Sequence, residues 1–314
     1  MSDSNQSNGP NGDPSEALLR FLEDRILGTA DRLTGAVEPP LEQVKQEIEF
    51  QEIELKMIGV VASTTTLPAR FSWEDQNYVT PAKFQKYNDC WAFATAGAAE
   101  TAYQKAVNRA IPNFNLSEQS IVDCSNMGTA ASGGYCAFKW LVSRGVHPEA
   151  DYPYQGYDQY CQIVTKPVYK GLRKAYVPQD ASGYSSVDAL KRAIFDHGPV
   201  YTTILATAKL GNHRNTDNVF VQYPDYKGGI NHAVIIVGWD DNKTAAGSTR
   251  GSWRVKNSWG QTWGRNGIGW IRYGENGIGK FSEWIDMDPV PREPGAQGPR
   301  PVPIPPVSRP SLEG

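Results

Sequence analysis

Apolar positions change period several times along the chain, and each change marks a candidate element. Leu18, Leu19, Leu22, Ile26 and Leu33 recur at helical spacing. Asp13-Pro14-Ser15-Glu16 precedes them as a helix start, with a capping acid, a first-turn proline and a glutamate in the third position. Pro39-Pro40 interrupts. From Leu41 to Ile58 the pattern supports two readings: Leu41, Val44, Ile48 and Leu55 fit a helix, while Glu47–Phe50 and Ile53–Met57 alternate as in a strand. The run Cys90 to Glu100 is alanine-rich and predicts a helix. Ala233–Trp239 is the longest clean apolar stretch, and it is far short of the ~20 residues that span a bilayer.

These patterns divide the chain of 314 residues into an N-terminal leader (1–66), a globular body (67–286) and a C-terminal tail (287–314). Residues 1–14 are polar and predict disorder. The tail carries nine prolines in Pro289–Gly314 and predicts an extended, polyproline-like arm. Its Pro303-Ile304-Pro305-Pro306 is a candidate for docking a partner's aromatic groove, with a solvated tail as the simpler reading. The leader holds 12 acidic and five basic residues, a net of −7. The whole chain carries −3, which leaves +4 on the rest. An acidic leader on a mildly basic body suggests that the two dock; a solvated acidic arm is the alternative.

Nothing in this balance provides a basic surface for nucleic acid, and no segment predicts a membrane span. Four cysteines without a CxxC pair exclude a dense disulfide scaffold and a zinc knuckle. No phosphate-binding glycine loop or HExxH motif is present. Asn115-Leu-Ser and Asn242-Lys-Thr are glycosylation sequons, relevant only to a secreted chain. The N-terminus has no basic start followed by an apolar run, which points to a cytoplasmic chain.

The candidate chemistry centres on Cys90. Asp89 is a plausible N-cap, which puts the thiol in the first helical turn, where the helix dipole and free N–H groups favour thiolate; the Asp89 charge opposes this if it faces the sulfur. A buried structural cysteine is the simpler alternative. His232 opens the Ala233–Trp239 strand, and Asn257 closes a second strand. A thiol, a base and an amide that orients the base, each at the edge of an element, are what acyl transfer to sulfur requires. His147, His197 and His213 sit in Val-His-Pro, Asp-His-Gly and Asn-His-Arg and read as turn or surface residues.

The stretches Val79-Thr80-Pro81-Ala82-Lys83-Phe84-Gln85, Cys90-Trp91-Ala92-Phe93-Ala94 and Leu116-Ser117-Glu118-Gln119 carry a resemblance. Ser132-Gly133-Gly134-Tyr135, Asp151-Tyr152-Pro153-Tyr154, Asn231-His232-Ala233-Val234 and Asn257-Ser258-Trp259-Gly260 follow in order. Together they resemble the papain family of cysteine peptidases over roughly Leu67 to Ile285. The resemblance implies an α+β fold of two lobes, one helical and one an antiparallel β-barrel, with the active-site cleft between. It implies a Cys90 thiolate paired with protonated His232, Asn257 fixing the imidazole, and Trp259 shielding that bond. Gln85 and the Cys90 N–H would form the oxyanion hole. Gly133 and Gly134 would let a substrate strand approach, with Asn231 beside them, and Cys136 and Ile230 would line the main specificity pocket, with Ser282 or Glu283 at its far end. Neither metal nor cofactor is implied, and the substrate would be a peptide or protein.

Two departures stand out. Four residues, Lys86-Tyr87-Asn88-Asp89, separate Gln85 from Cys90, where the family usually has five, and the usual loop cysteine is missing. Its usual partner is missing too, since Ala130-Ala131-Ser132 stands there. The family pattern then leaves one disulfide, Cys124–Cys161. Papain-like enzymes often carry an inhibitory leader that crosses the cleft backwards. The usual leader signature is absent here, but part of Glu16–Thr66 is a candidate to cover the cleft, giving a latent zymogen; a structural arm packed on the back of a lobe is the alternative. A thiol acyltransferase or ligase and a weakly catalytic peptide-binding module are the rival functions.

Overall fold

A computed structural model describes residues 34–57 and 65–292. The expected helix after Asp13, the polar N-terminus and the tail beyond Arg292 lie outside the described residues. The ambiguous leader segment is a helix, α1 (Leu41–Met57). Val44 and Ile48, four apart, face the body, while Phe50, which a strand would put on their face, is exposed, as is Ile53.

The helical lobe follows a short strand, β1 (Arg70–Ser72). It contains α2 (Cys90–Ala106), α3 (Glu118–Cys124), a ribbon of β2 (Gly128–Thr129) and β3 (Gly133–Gly134), and α4 (Phe138–Ser143). Ser117 caps α3 by accepting from the Ser120 N–H at 2.9 Å. Cys124 and Cys161 are joined by a disulfide that pins the following loop to the end of α3.

The second lobe is built on a sheet. Its elements are β4 (Gly171–Tyr176), α5 (Val187–His197), β5 (Val200–Ile204), α6 (Ala208–Gly211), β6 (Val219–Phe220), β7 (His232–Asp240), β8 (Ser252–Lys256), β9 (Ile268–Arg272) and β10 (Lys280–Met287). Strand order is β4-β10-β5-β7-β8-β9-β6, with β1 added beside β7. The pairings are antiparallel except β6 with β9.

The two-lobed α+β architecture is as expected, but the barrel is not closed. Among the described residues no ladder joins β4 to β6. At Tyr176 the outer edge of β4 is occupied by a side chain. The Tyr176 N–H donates to Gln51 Oε1 at 2.9 Å, and Gln51 Nε2 donates to the Tyr176 carbonyl at 3.1 Å. One amide from α1 thus satisfies the groups a further strand would take.

Strand β7 divides two cores. Ala233, Ile235 and Val237 join the helical-lobe core around α2. Val234, Ile236 and Trp239 join the core of the sheet lobe with Ile194, Trp253 and Trp263. Both faces are covered, so β7 reads as a continuous apolar run without polar alternation. Gly97 of α2 permits the close contact, because a Cβ there would stand 2.6 Å from Ile235 Cδ1. No helix of the described residues is long and apolar enough to cross a membrane.

Ile194 lies fully buried between α5 and the sheet. Ile194→Ala is expected to cost about 2–5 kcal/mol, read as a lower urea midpoint. A midpoint equal to that of the parent would contradict this packing.

Candidate active site

Cys90 is the first residue of α2, and its sulfur is wholly buried. The Asp89 carbonyl accepts from the N–H groups of Ala92 and Phe93 at 2.9 and 3.2 Å. The Asp89 side chain does not cap the helix; it accepts from the Tyr154 hydroxyl at 2.5 Å. The Cys90 sulfur accepts from the Ala233 N–H at 3.4 Å, and the N–H groups of Ala36 and Trp91 also face it. Burial pushes the thiol up to about 12, and the Asp89 charge adds to this against the N–H donors. The helix start alone argues for a lowered value. Desolvation overrides it here because the leader covers the sulfur.

His232 begins β7, directly before Ala233, so one strand brings both an imidazole and a sulfur-binding N–H to the cleft. Its Nε2 lies 2.8 Å from Asn257 Oδ1. That oxygen also accepts from the Ser258 N–H at 2.8 Å, so the amide is oriented and Nε2 must donate. The neutral ring therefore keeps its lone pair on Nδ1, which has no hydrogen-bond partner among the described residues. Trp259 stacks on the ring with centroids 4.4 Å apart and covers the Asn257 bond. Burial pushes His232 down to about 4, against the bond to Asn257. Thiol and imidazole are thus both neutral at neutral pH while covered.

Gln85 is buried and held by the same segment. Its backbone N–H donates to the Ser258 carbonyl at 2.9 Å, and its Oε1 accepts from Ser258 Oγ at 2.6 Å. Nε2 donates to the Tyr87 carbonyl at 2.7 Å. An amide nitrogen carries two hydrogens, so one remains for a ligand.

The cover is residues 34–40 of the leader. The N–H groups of Gly35 and Ala36 donate to the Asn231 carbonyl at 2.8 and 3.0 Å. The Val37 N–H donates to the Gly134 carbonyl at 2.9 Å, and the Gly134 N–H donates to the Gly35 carbonyl at 2.8 Å. Ala36 and Gly134 form a parallel bridge. Glycine is required on both sides of this contact. A Cβ on Gly133 would stand 2.1 Å from the Gly35 carbonyl oxygen, and a Cβ on Gly35 would stand 2.1 Å from that of Asn88. The expected strand-binding glycines thus hold a strand of the chain itself.

At the far end, Ile230 packs on the helical-lobe core and Cys136 is a free, buried thiol. Of the two expected end residues, Ser282 turns to Thr202 at 2.8 Å, while Glu283 faces Cys136 and pairs with Lys174 at 3.0 Å. Lys174 also binds Glu47 of α1 at 2.5 Å, and Glu47 reaches Lys139 at 3.0 Å. Glu38 pairs with Lys280 at 2.6 Å. These pairs are where the acidic leader meets the basic body.

Comparison with known proteins gives the family. The family model described as papain family cysteine protease matches residues 67–284. The chain belongs to the papain family. A viral cathepsin of Heliothis zea nuclear polyhedrosis virus is 32% identical over 222 residues, 69% of this chain and 56% of that protein. The chain therefore spans little more than half the length of that curated relative. The crystal structure of a ragweed pollen cysteine protease in its proform is 30% identical, with a TM-score of 0.60, covering 72% of this chain and 67% of that one. The procathepsin L2 of Tenebrio molitor larval midgut shares the fold at 24% identity, with a TM-score of 0.66 over 86% of this chain and 90% of its own.

Around this papain-family centre lies a charged layer the motif reading did not single out. Lys83, two residues before Gln85, donates to Glu100 at 2.9 Å and to Glu118 at 2.6 Å. Lys256, adjacent to Asn257, donates to Thr80 at 2.7 Å, and Thr80 donates to Glu100. Burial pushes Glu118 up to about 7 and pulls Lys256 down, while both glutamates outweigh burial at Lys83 and raise it. The layer ties the Gln85, Cys90 and Asn257 segments together. Its signal in the sequence is that Lys83 and Glu118 lie within the family stretches. His147 is buried against Tyr152 instead of being a surface residue. His197 stacks on Trp284, and His213 is half-buried beside Trp263.

Burial alone would raise Glu47, but Lys174 and Lys139 hold it below the ordinary value of 4.5. A carboxylate depressed by docking strengthens docking above its free pKa and loses that contribution as pH falls through the docked value. The leader is expected to hold fully above pH 4.5 and to loosen below it. Glu47→Gln should remove part of this acid response, read as hydrogen exchange at the Gly35 and Ala36 amides against pH. A variant with the parent's profile would contradict the assignment.

Proposed function

We propose that the chain is a cysteine endopeptidase held latent by its own leader. The observation that carries this reading is the single arrangement on β7 and β8: His232 oriented by Asn257, with Cys90 bound by the next N–H of the same strand. Proform relatives support the latent state. With residues 34–40 displaced, water and substrate reach the pair, and proton transfer from Cys90 to His232 Nδ1 gives thiolate and imidazolium.

The thiolate attacks the scissile carbonyl carbon. The Cys90 N–H and the free Gln85 amide hydrogen stabilise the oxyanion. Collapse breaks the C–N bond, and imidazolium gives its proton to the leaving amine. Water, deprotonated by His232, then hydrolyses the thioester and restores the thiol. Asn257 holds Nε2 throughout, which leaves Nδ1 as the nitrogen that takes and returns the proton. Gly133 and Gly134 pair with the substrate backbone as they pair with the leader, and Asn231 accepts from it. Cys136, Ile230 and Glu283 shape the main pocket. Parallel pairing explains why the leader is not cut: its carbonyls run opposite to those of a substrate strand.

After leader removal, Cys90→Ala should abolish cleavage of a peptide amide. His232→Ala should lower kcat by about 10²–10⁴-fold, and Gln85→Ala by about 10²-fold with KM little changed. Steady-state kinetics check this, and turnover surviving Cys90→Ala would overturn the reading.

A further inference from the structure

The short loop between Gln85 and Cys90 is fixed by one phenol. The Tyr154 hydroxyl accepts from the Lys86 N–H at 3.0 Å and donates to Asp89 Oδ2 at 2.5 Å. Lys86 and Asp89 are the first and last residues of the loop, so a single oxygen spans it. Asp89 is wholly buried, and the N–H groups of Tyr87 and Asp89 also face its carboxylate.

Tyr154 is itself held firmly. Its N–H donates to Glu149 at 2.7 Å, and its ring meets Phe93 of α2 edge-on at 5.0 Å. The next two N–H groups, of Gln155 and Gly156, donate to Gln119 Oε1 of α3 at 2.9 and 3.2 Å. Gly156 has φ +85°, and a Cβ there would press on Lys86 at 2.9 Å. The loop's middle is tied separately: the Asn88 N–H donates to the Ala130 carbonyl and its side chain to that of Ala131, each at 2.9 Å.

We infer that Tyr154 and Asp89 form a positioning couple that spans this loop and keeps Gln85 and Cys90 in register. The loop has no cysteine, and the facing segment, Ala130-Ala131-Ser132, has none either. Gln85 donates to Tyr87 inside the loop, so the loop, together with Ser258 on Oε1, sets where its remaining amide hydrogen points relative to the Cys90 N–H. The couple acts through Gln85 and touches no substrate atom. This inference rests on the peptidase reading above.

The test uses the folded full chain after its leader is cleaved. Tyr154→Phe keeps the ring and removes the bridging oxygen; it should lower kcat by about 10- to 100-fold with KM within about twofold. Combined with Gln85→Ala, it should add less than about twofold, because both act on one donor. Asp89→Ala should match Tyr154→Phe, while Asp89→Asn, which still accepts from the hydroxyl, should recover most of the rate. Unchanged kcat in Tyr154→Phe, or full additivity with Gln85→Ala, would overturn the proposal. If the parent itself shows no turnover, the peptidase reading fails. Hydrogen exchange at the Lys86 and Asn88 amides then decides the couple: lost protection in Tyr154→Phe supports it, and parental protection overturns it.

Discussion

The access of water to Cys90 and His232 governs the rest of the site. Under the leader both groups are dry, and dryness favours the neutral thiol and neutral imidazole. The helix dipole, the Ala233 N–H and Asn257 all favour the charged pair, but they do not offset full desolvation. On the proposed reading, latency is an electrostatic state as well as a steric one: the cover would block the cleft and also withhold the ionisation on which attack depends.

The cover is held weakly at many points. Its backbone pairs with Asn231 and Gly134, its helix buries Val44, and its acids meet Lys174, Lys139 and Lys280. No covalent bond joins these contacts. Of the leader's docked acids, Glu47 is, despite burial, held below its ordinary value by Lys174 and Lys139, so its pairs make docking respond to acid. Lys174 bridges Glu47 of the leader and Glu283 beside Cys136, which links the seat of the helix to the proposed pocket. On the body's side, buried carboxylates tie the segments together: Glu100 and Glu118 on Lys83, and Asp89 on the Tyr154 hydroxyl.

The family and the two-lobed fold were legible because the motifs lie at element boundaries, where chemistry restricts residue choice. Cys90 at the head of α2 and His232 at the head of β7 are examples. What stayed hidden depends on distant partners. The runs Glu47–Phe50 and Ile53–Met57 alternate like a strand, but Val44 and Ile48 of α1, four apart, pack with Tyr176 and Phe281, so helical period prevails. The barrel is open, and Gln51, far away in sequence, occupies the edge of β4 at Tyr176. Thr34-Gly35-Ala36 gave no signal, since what suits it to the cleft is small size against Gly133 and Asn88. Tyr154 lies in a quoted stretch, yet its bond to Asp89 crosses 65 residues.

On the proposed reading, the leader keeps an otherwise competent thiol buried and neutral. The most direct test is alkylation by an epoxide that reacts with activated thiols, read by mass spectrometry at Cys90 and Cys136, on the intact chain and on the same chain after leader cleavage. Cys90 should be labelled only after cleavage, with Cys136 unlabelled in both. Equal labelling of Cys90 in the intact chain would contradict it.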